Sequence, residues 1–79
     1  MVTISKKYDW KQCRYVIIVE WIERVDNANL RCDLMNLGGT QYTYISPTAF
    51  SFHTNKDFNE SEHEKKANEI YRKYSAFRS

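Results

Sequence analysis

The sequence predicts an α+β domain: a three- or four-stranded antiparallel β-meander followed by one C-terminal helix packed on one face of the sheet. Three observations carry that expectation. The stretch Tyr-Val-Ile-Ile-Val-Glu-Trp-Ile, from Tyr15 to Ile22, is the one place where apolar residues run almost without a break. It is β-branched and aromatic and too short to cross a membrane, which marks a strand apolar on both faces. Turn signals follow at Asp26-Asn27 and Gly38-Gly39. Near the C-terminus, Ala67, Ile70, Tyr71, Tyr74 and Phe77 fall at helical spacing and make one apolar stripe.

Taken in order, residues 2–4 read as a short edge strand, and the polar segment 5–12, where Tyr8 and Trp10 bracket Asp9, reads as a loop. The first long strand runs over about 13–24. A turn at Asp26-Asn27 leads into a second strand over 29–37, in which Leu30, Cys32 and Leu34 alternate with Arg31, Asp33 and Met35. Gly38-Gly39 then makes a hairpin with a third strand over 40–45. Ser46-Pro47 resembles a helix cap, so residues 48–52 are expected to make one short helical turn, with Phe50 and Phe52 plugging the end of the core. Asn59, with Glu62 as capping-box partner, begins the long helix, with Thr54 and Asp57 as a competing start. Acids at Glu60, Glu62 and Glu64 and bases at Arg72, Lys73 and Arg78 complement its dipole.

These turns imply a register. Trp21 would face Cys32, Val19 would face Leu34, Met35 would face Tyr42 and Cys32 would face Ile45. One face then collects Tyr15, Ile17, Val19, Trp21, Leu30, Cys32, Leu34, Thr43 and Ile45, and the other Val16, Ile18, Ile22, Met35, Tyr42 and Tyr44, with Glu20, Arg31 and Asp33 among them. The most apolar strand sits at an edge unless residues 2–4 pair with it. Cys13 and Cys32 lie too far apart along the strands for the roughly 4.4–6.8 Å Cα separation of a disulfide.

The 79 residues make a single compact domain spanning 1–79, small enough that a second copy or a partner would add usefully to its stability. Lys6, Lys7 and Asp9 interrupt the N-terminus before any signal-peptide apolar block forms, so a cytoplasmic protein with reduced cysteines and no membrane contact is expected. The formal net charge of +2 generates no strong global field toward nucleic acid. Charge clusters locally, however: Lys6, Lys7, Lys11 and Arg14 at one terminus, and Lys65, Lys66, Arg72, Lys73 and Arg78 at the other. Side by side, the two termini would make one basic surface.

Chemistry is not expected. His53, Asp57, His63 and the neighbouring glutamates could be arranged as an acid–base set, but Glu60, His63 and Glu64 share a solvent-facing helical turn and His53 lies outside it. The cysteines and histidines lack the short paired spacings of a zinc site, so no metal is expected. Gly38-Gly39 precedes a strand and carries no Lys-Ser or Lys-Thr, so it is no phosphate loop, and no cofactor is expected. Cys32 reads as a small buried residue beside Trp21.

One helix covers one sheet face, yet both faces carry large apolar side chains. The N-terminal segment, a second copy of the chain or a foreign partner must cover the other. The expected function is a small non-enzymatic protein-binding module, an inhibitor or regulator that occludes a larger enzyme or nucleoprotein. Its anchors would be Trp10, Ile18, Met35, Tyr42 and Tyr44. A composition poor in Ala, Gly and Pro and rich in Asn, Lys, Tyr and Ile suits an AT-rich phage or plasmid genome. The alternative is an RNA or single-stranded DNA binder that uses the sheet aromatics with Lys6, Lys7, Lys11, Arg14, Lys65, Arg72 and Lys73.

Overall fold

A computed structural model of the chain describes residues 1–22, 27–55 and 57–76. Its elements are β1 (Thr3–Asp9), β2 (Arg14–Glu20), α1 (Asn27–Met35), β3 (Thr40–Ser46), β4 (Ala49–Thr54) and α2 (Glu60–Ala76). The strands form one antiparallel sheet in the order β1-β2-β4-β3, and the C-terminal helix follows it, so the expected α+β architecture holds. The stretch that is apolar on both faces takes an interior position. Ile17 pairs with Lys6 on one side and Phe52 on the other, and Val19 pairs with Ile4 and Phe50.

Residues 5–12 were expected as a loop, but most of them extend β1. Ile4, Lys6 and Tyr8 share the face of Val19, Ile17 and Tyr15, opposite Ser5, Lys7 and Asp9. Lys6 breaks the apolar alternation and hides the strand in the sequence. Its ammonium leaves the core edge by lying 4.6 Å from the Tyr15 ring centroid and donating to the Phe58 carbonyl at 3.4 Å.

The second expected strand is instead α1. Leu30 and Leu34 fit a period of two and a period of four equally well, and both are buried. Cys32, which the strand reading buries beside Trp21, is exposed, because a helix turns it away from the core. The expected pairings of Trp21 with Cys32, Val19 with Leu34, Met35 with Tyr42 and Cys32 with Ile45 therefore do not form. Asp26 lies outside the described residues, and Asn27 opens α1, its side-chain carbonyl accepting from Trp21 Nε1 at 3.2 Å.

Gly38-Gly39 is a helix-to-strand connection rather than a hairpin turn. Leu37 N–H donates to the Leu34 carbonyl at 3.2 Å and Gly38 N–H to that of Met35 at 3.3 Å, closing the helix. Gly39 then crosses directly over Phe52: a Cβ there would stand 2.3 Å from Phe52 Cδ2, at a φ of +112°.

Pro47 and Thr48 form the β3–β4 turn, not a helix start, and Phe50 and Phe52 alternate with Ser51 and His53 along β4. Both phenylalanines lie in the middle of the core. Arg31 fastens α1 to this turn: its guanidinium donates to the carbonyls of Ala49 (3.1 Å) and Ser46, and packs over the rings of Trp21, Tyr44 and Phe50.

The C-terminal helix matches its expectation over the described residues, while Phe77 and Arg78 lie outside them. Asn59 Oδ1 caps it by accepting from Glu62 N–H at 3.1 Å, with Glu60 and Glu62 in the first turn and Lys73 in the last. Asn68 ties it to the residue just before β1, accepting from Val2 N–H at 2.8 Å and donating to the Val2 carbonyl at 3.2 Å. His63 was expected in solvent but is buried against Phe52 and Phe58.

Leu30, Leu34 and Ala67 belong to one cluster with Ile4, Ile17, Val19, Phe50 and Phe52, so both helices pack on one sheet face. The opposite face carries Ser5, Lys7, Val16, Ile18, Thr43, Ser51 and His53. Among the described residues no element lies across it. Ile22, just beyond β2, is exposed. No helix of the described residues is long and apolar enough to cross a membrane.

Candidate functional site

The sheet order brings the β1–β2 turn, the start of β3 and the end of β4 to one end of the molecule. An open cleft of about 820 Å³ forms there, with walls that include Tyr8, Arg14, Tyr15, Thr40, His53 and Thr54. The rings along one wall are packed edge to face: Tyr8 meets Trp10 at 4.7 Å between centroids and Tyr15 at 5.1 Å. Trp10, at the tip of the turn, is 83% exposed. Desolvation first, then the Cys13 thiol, Tyr15 and Asp9, raises the pKa of the Tyr8 phenol above its ordinary value, so it stays neutral and able to donate at physiological pH.

The backbone here is unusual. Among the described residues, Cys13 and Gln41 are the non-glycine residues with positive φ, both at 53°. Both adjoin Arg14: Cys13 precedes it, and Gln41 Oε1 accepts from its Nη1 at 3.4 Å. Cys13 closes the turn by pointing its thiol at the Trp10 carbonyl, 3.8 Å away. Asp9 accepts from Lys11 N–H at 3.0 Å, and its other oxygen lies 3.6 Å from His53 Nε2. That contact is too long for a hydrogen bond, and neither ring nitrogen of His53 has a partner.

The five residues expected as protein anchors do not form one patch. Trp10 projects at the turn end, and Ile18 sits half-buried on the uncovered sheet face. Tyr42 and Met35 serve the fold: the Tyr42 hydroxyl lies 2.5 Å from the Met35 carbonyl and 2.6 Å from that of Gly38, and its ring packs on Phe50 and Phe52. Burial raises the pKa of this phenol too. Tyr44 is 68% exposed but stands near the far end of β3 beneath Arg31.

The basic residues also separate. Lys6 lies on the helix-bearing face, Lys7 on the other, and Lys11 and Arg14 at the turn. Phe58 meets Lys6 while Asn68 meets Val2, so α2 runs antiparallel to β1. Arg72 and Lys73 therefore extend past the start of β1, away from Lys11 and Arg14, and the two clusters do not merge. Lys65 is exposed on α2 between them, and Lys66 pairs with Glu62 at 3.3 Å.

The two histidines do not form an acid–base set. His53 faces the uncovered side of the sheet and His63 the core beneath α2, with burial first and Lys66 second lowering the His63 pKa. No group of three or more His, Cys, Asp or Glu is placed to hold a metal ion among the described residues. The sequence reading missed the pairing of Tyr8 with Tyr15, although the alternation of Tyr8 with Lys7 and Asp9 was available as a signal. No protein-family model matches the chain, and comparison with curated proteins and with solved structures yields no match either.

Proposed function

We propose that the chain is a small binding module, without reaction chemistry of its own, that engages a protein target and acts as an inhibitor or regulator by occlusion. One observation carries the reading. Trp10 keeps 83% of its surface in solvent at the tip of a hairpin, while the Tyr8 ring packs edge-on against it. A tryptophan side chain offers about 150–250 Å² for burial, so covering this one releases about 3–5 kcal/mol before the costs of association. Most folds spend such a residue inside; here it stands outward on two paired strands. Val16 and Ile18, half-buried on the uncovered face and separate from Trp10, supply a second apolar strip with Lys7 and Arg14 at its rim, the apolar-centre and charged-rim pattern of protein interfaces.

The test is affinity capture from a lysate with the whole chain as bait. A stoichiometric protein held by the native chain is expected to be lost with Trp10→Ala and with Ile18→Asp, each retaining the native thermal midpoint to within about 5 °C, the effect of about 1 kcal/mol in a domain this size. Undiminished capture by both folded variants refutes the proposal.

A further inference from the structure

We infer that the cleft at the turn end of the sheet is a binding site for a nucleoside phosphate, with the base against the rings of Tyr8 and Tyr15 and the phosphate on Arg14. The site uses side chains other than Trp10 and Ile18, so it stands whether or not those residues meet a protein. Its volume of about 820 Å³ falls in the range of roughly 300–1,000 Å³ typical of small-molecule sites, and its walls combine rings with a few convergent polar groups.

Each chemical part of the ligand has a counterpart. Tyr8 and Tyr15 meet edge to face at 71° with centroids 5.1 Å apart, so the exposed Tyr8 ring supplies the stacking face and Tyr15 borders it, an arrangement that accepts any base because every base has a π-face. Arg14 is exposed and commits one nitrogen to a long 3.4 Å contact with Gln41, leaving the rest of its guanidinium fork for a phosphate. The Lys6 ammonium, 4.6 Å from the Tyr15 ring centroid, adds positive charge behind the same wall. Thr40 donates its hydroxyl proton to the His53 carbonyl, which leaves its oxygen free to accept, and Thr54 and Asn55 supply further polar groups to the cleft wall.

Among the described residues that line the cleft none is acidic, and the nearest carboxylate, Asp9, is already engaged by Lys11 N–H and faces His53. A peptide carboxylate would use the guanidinium but leave the paired rings without a planar partner. A nucleoside phosphate uses both.

The experiment is an NMR titration of the whole chain with AMP and with UMP, following backbone amide shifts. Shifts are expected to gather at Tyr8, Cys13, Arg14, Tyr15, Thr40 and Thr54 for both nucleotides. Arg14→Gln, a change at an exposed side chain, is expected to weaken binding about tenfold, while Glu69→Gln, at an exposed position on α2, leaves it unchanged. Adenosine without phosphate should bind more weakly than AMP. A short oligonucleotide with and without a 5′-phosphate separates the two sources of the ligand. Tighter binding of the mononucleotide identifies a free nucleotide, and tighter binding of the oligonucleotide that disappears with its phosphate identifies a strand end. Four results overturn the proposal: no shift at millimolar nucleotide, shifts confined to α2, adenosine binding as tightly as AMP, or binding indifferent to Arg14→Gln.

Discussion

Gly39 allows a stringent test of how the chain passes from α1 into the sheet. Replacing it with Ala adds one methyl group, and the structure gives that methyl two separate penalties. The backbone φ of +112° belongs to a region that side-chain-bearing residues rarely adopt, at a cost of about 1–3 kcal/mol. The new Cβ would also stand 2.3 Å from Phe52 Cδ2 and 2.7 Å from Cγ, and the ring is fully buried and cannot retreat without displacing the core, which adds about 1–3 kcal/mol. Together Gly39→Ala should cost about 2–6 kcal/mol. At about 4–8 °C per kcal/mol for a domain of this length, even the lower bound moves the thermal midpoint by about 8 °C or more.

Gly38 is the internal control. Its φ is +128°, but nothing lies within 4 Å of a Cβ built there, so Gly38→Ala should carry the backbone cost alone. The assay is thermal and urea unfolding of both variants, and of Gly39→Ala in a Phe52→Leu background. There the smaller side chain should recover part of the loss through a coupling energy between the two sites. Equal losses at Gly38 and Gly39, with no coupling to Phe52, would refute the close crossing of this segment over the ring.

Two further predictions follow from titration and from turn strain. His63 has its pKa lowered by burial against Phe52 and Phe58, with the Lys66 charge second. The unfolded chain, at about 6.5, therefore takes up the proton first. Stability should be level above that pH, decline as pH falls below it, and level off once pH passes the lowered folded value. Urea unfolding of native and His63→Leu protein between pH 5 and 7.5 should show that slope only in the native chain, and a slope unchanged by the substitution would contradict the burial. At Cys13, the φ of 53° costs a side-chain-bearing residue about 1–2 kcal/mol, against about 0.5–1 kcal/mol of extra chain entropy lost by glycine. Cys13→Gly should thus match or exceed the stability of Cys13→Ala by up to about 1.5 kcal/mol, both variants having lost the thiol contact to the Trp10 carbonyl. A Gly variant less stable than the Ala variant would rule out the turn geometry.

What was legible in the sequence divides by how ambiguous each local pattern is. The strand from Tyr15 and the helix capped by Asn59 have long signals that a single periodicity explains, and both form, the strand over Arg14–Glu20 rather than the expected 13–24. Leu30 and Leu34 satisfy a strand and a helix alike, and only Cys32 between them discriminates. A cysteine is compatible with burial or exposure, so the wrong choice left no trace. The turn signals had the same weakness. Gly38-Gly39 announced positive φ correctly, but glycines serve a helix end as readily as a hairpin, and only the approach of Phe52 shows which. Moving one element from sheet to helix changed the partners of every strand. Tyr42 and Met35 passed to the helix-bearing side, while the half-burial of Val16 and Ile18 on the far face survived.

The separation of roles within the fold bears on where function can reside. Both helices are committed to one face by Leu30, Leu34 and Ala67, and Arg31 and Asn68 anchor them through backbone carbonyls and amides rather than through replaceable side-chain contacts. That half of the molecule is occupied with staying folded. At the opposite extreme, the positive-φ residues among those described, Cys13, Gly38, Gly39 and Gln41, all gather at the end of the sheet that also carries Trp10, Tyr8, Lys11 and Arg14.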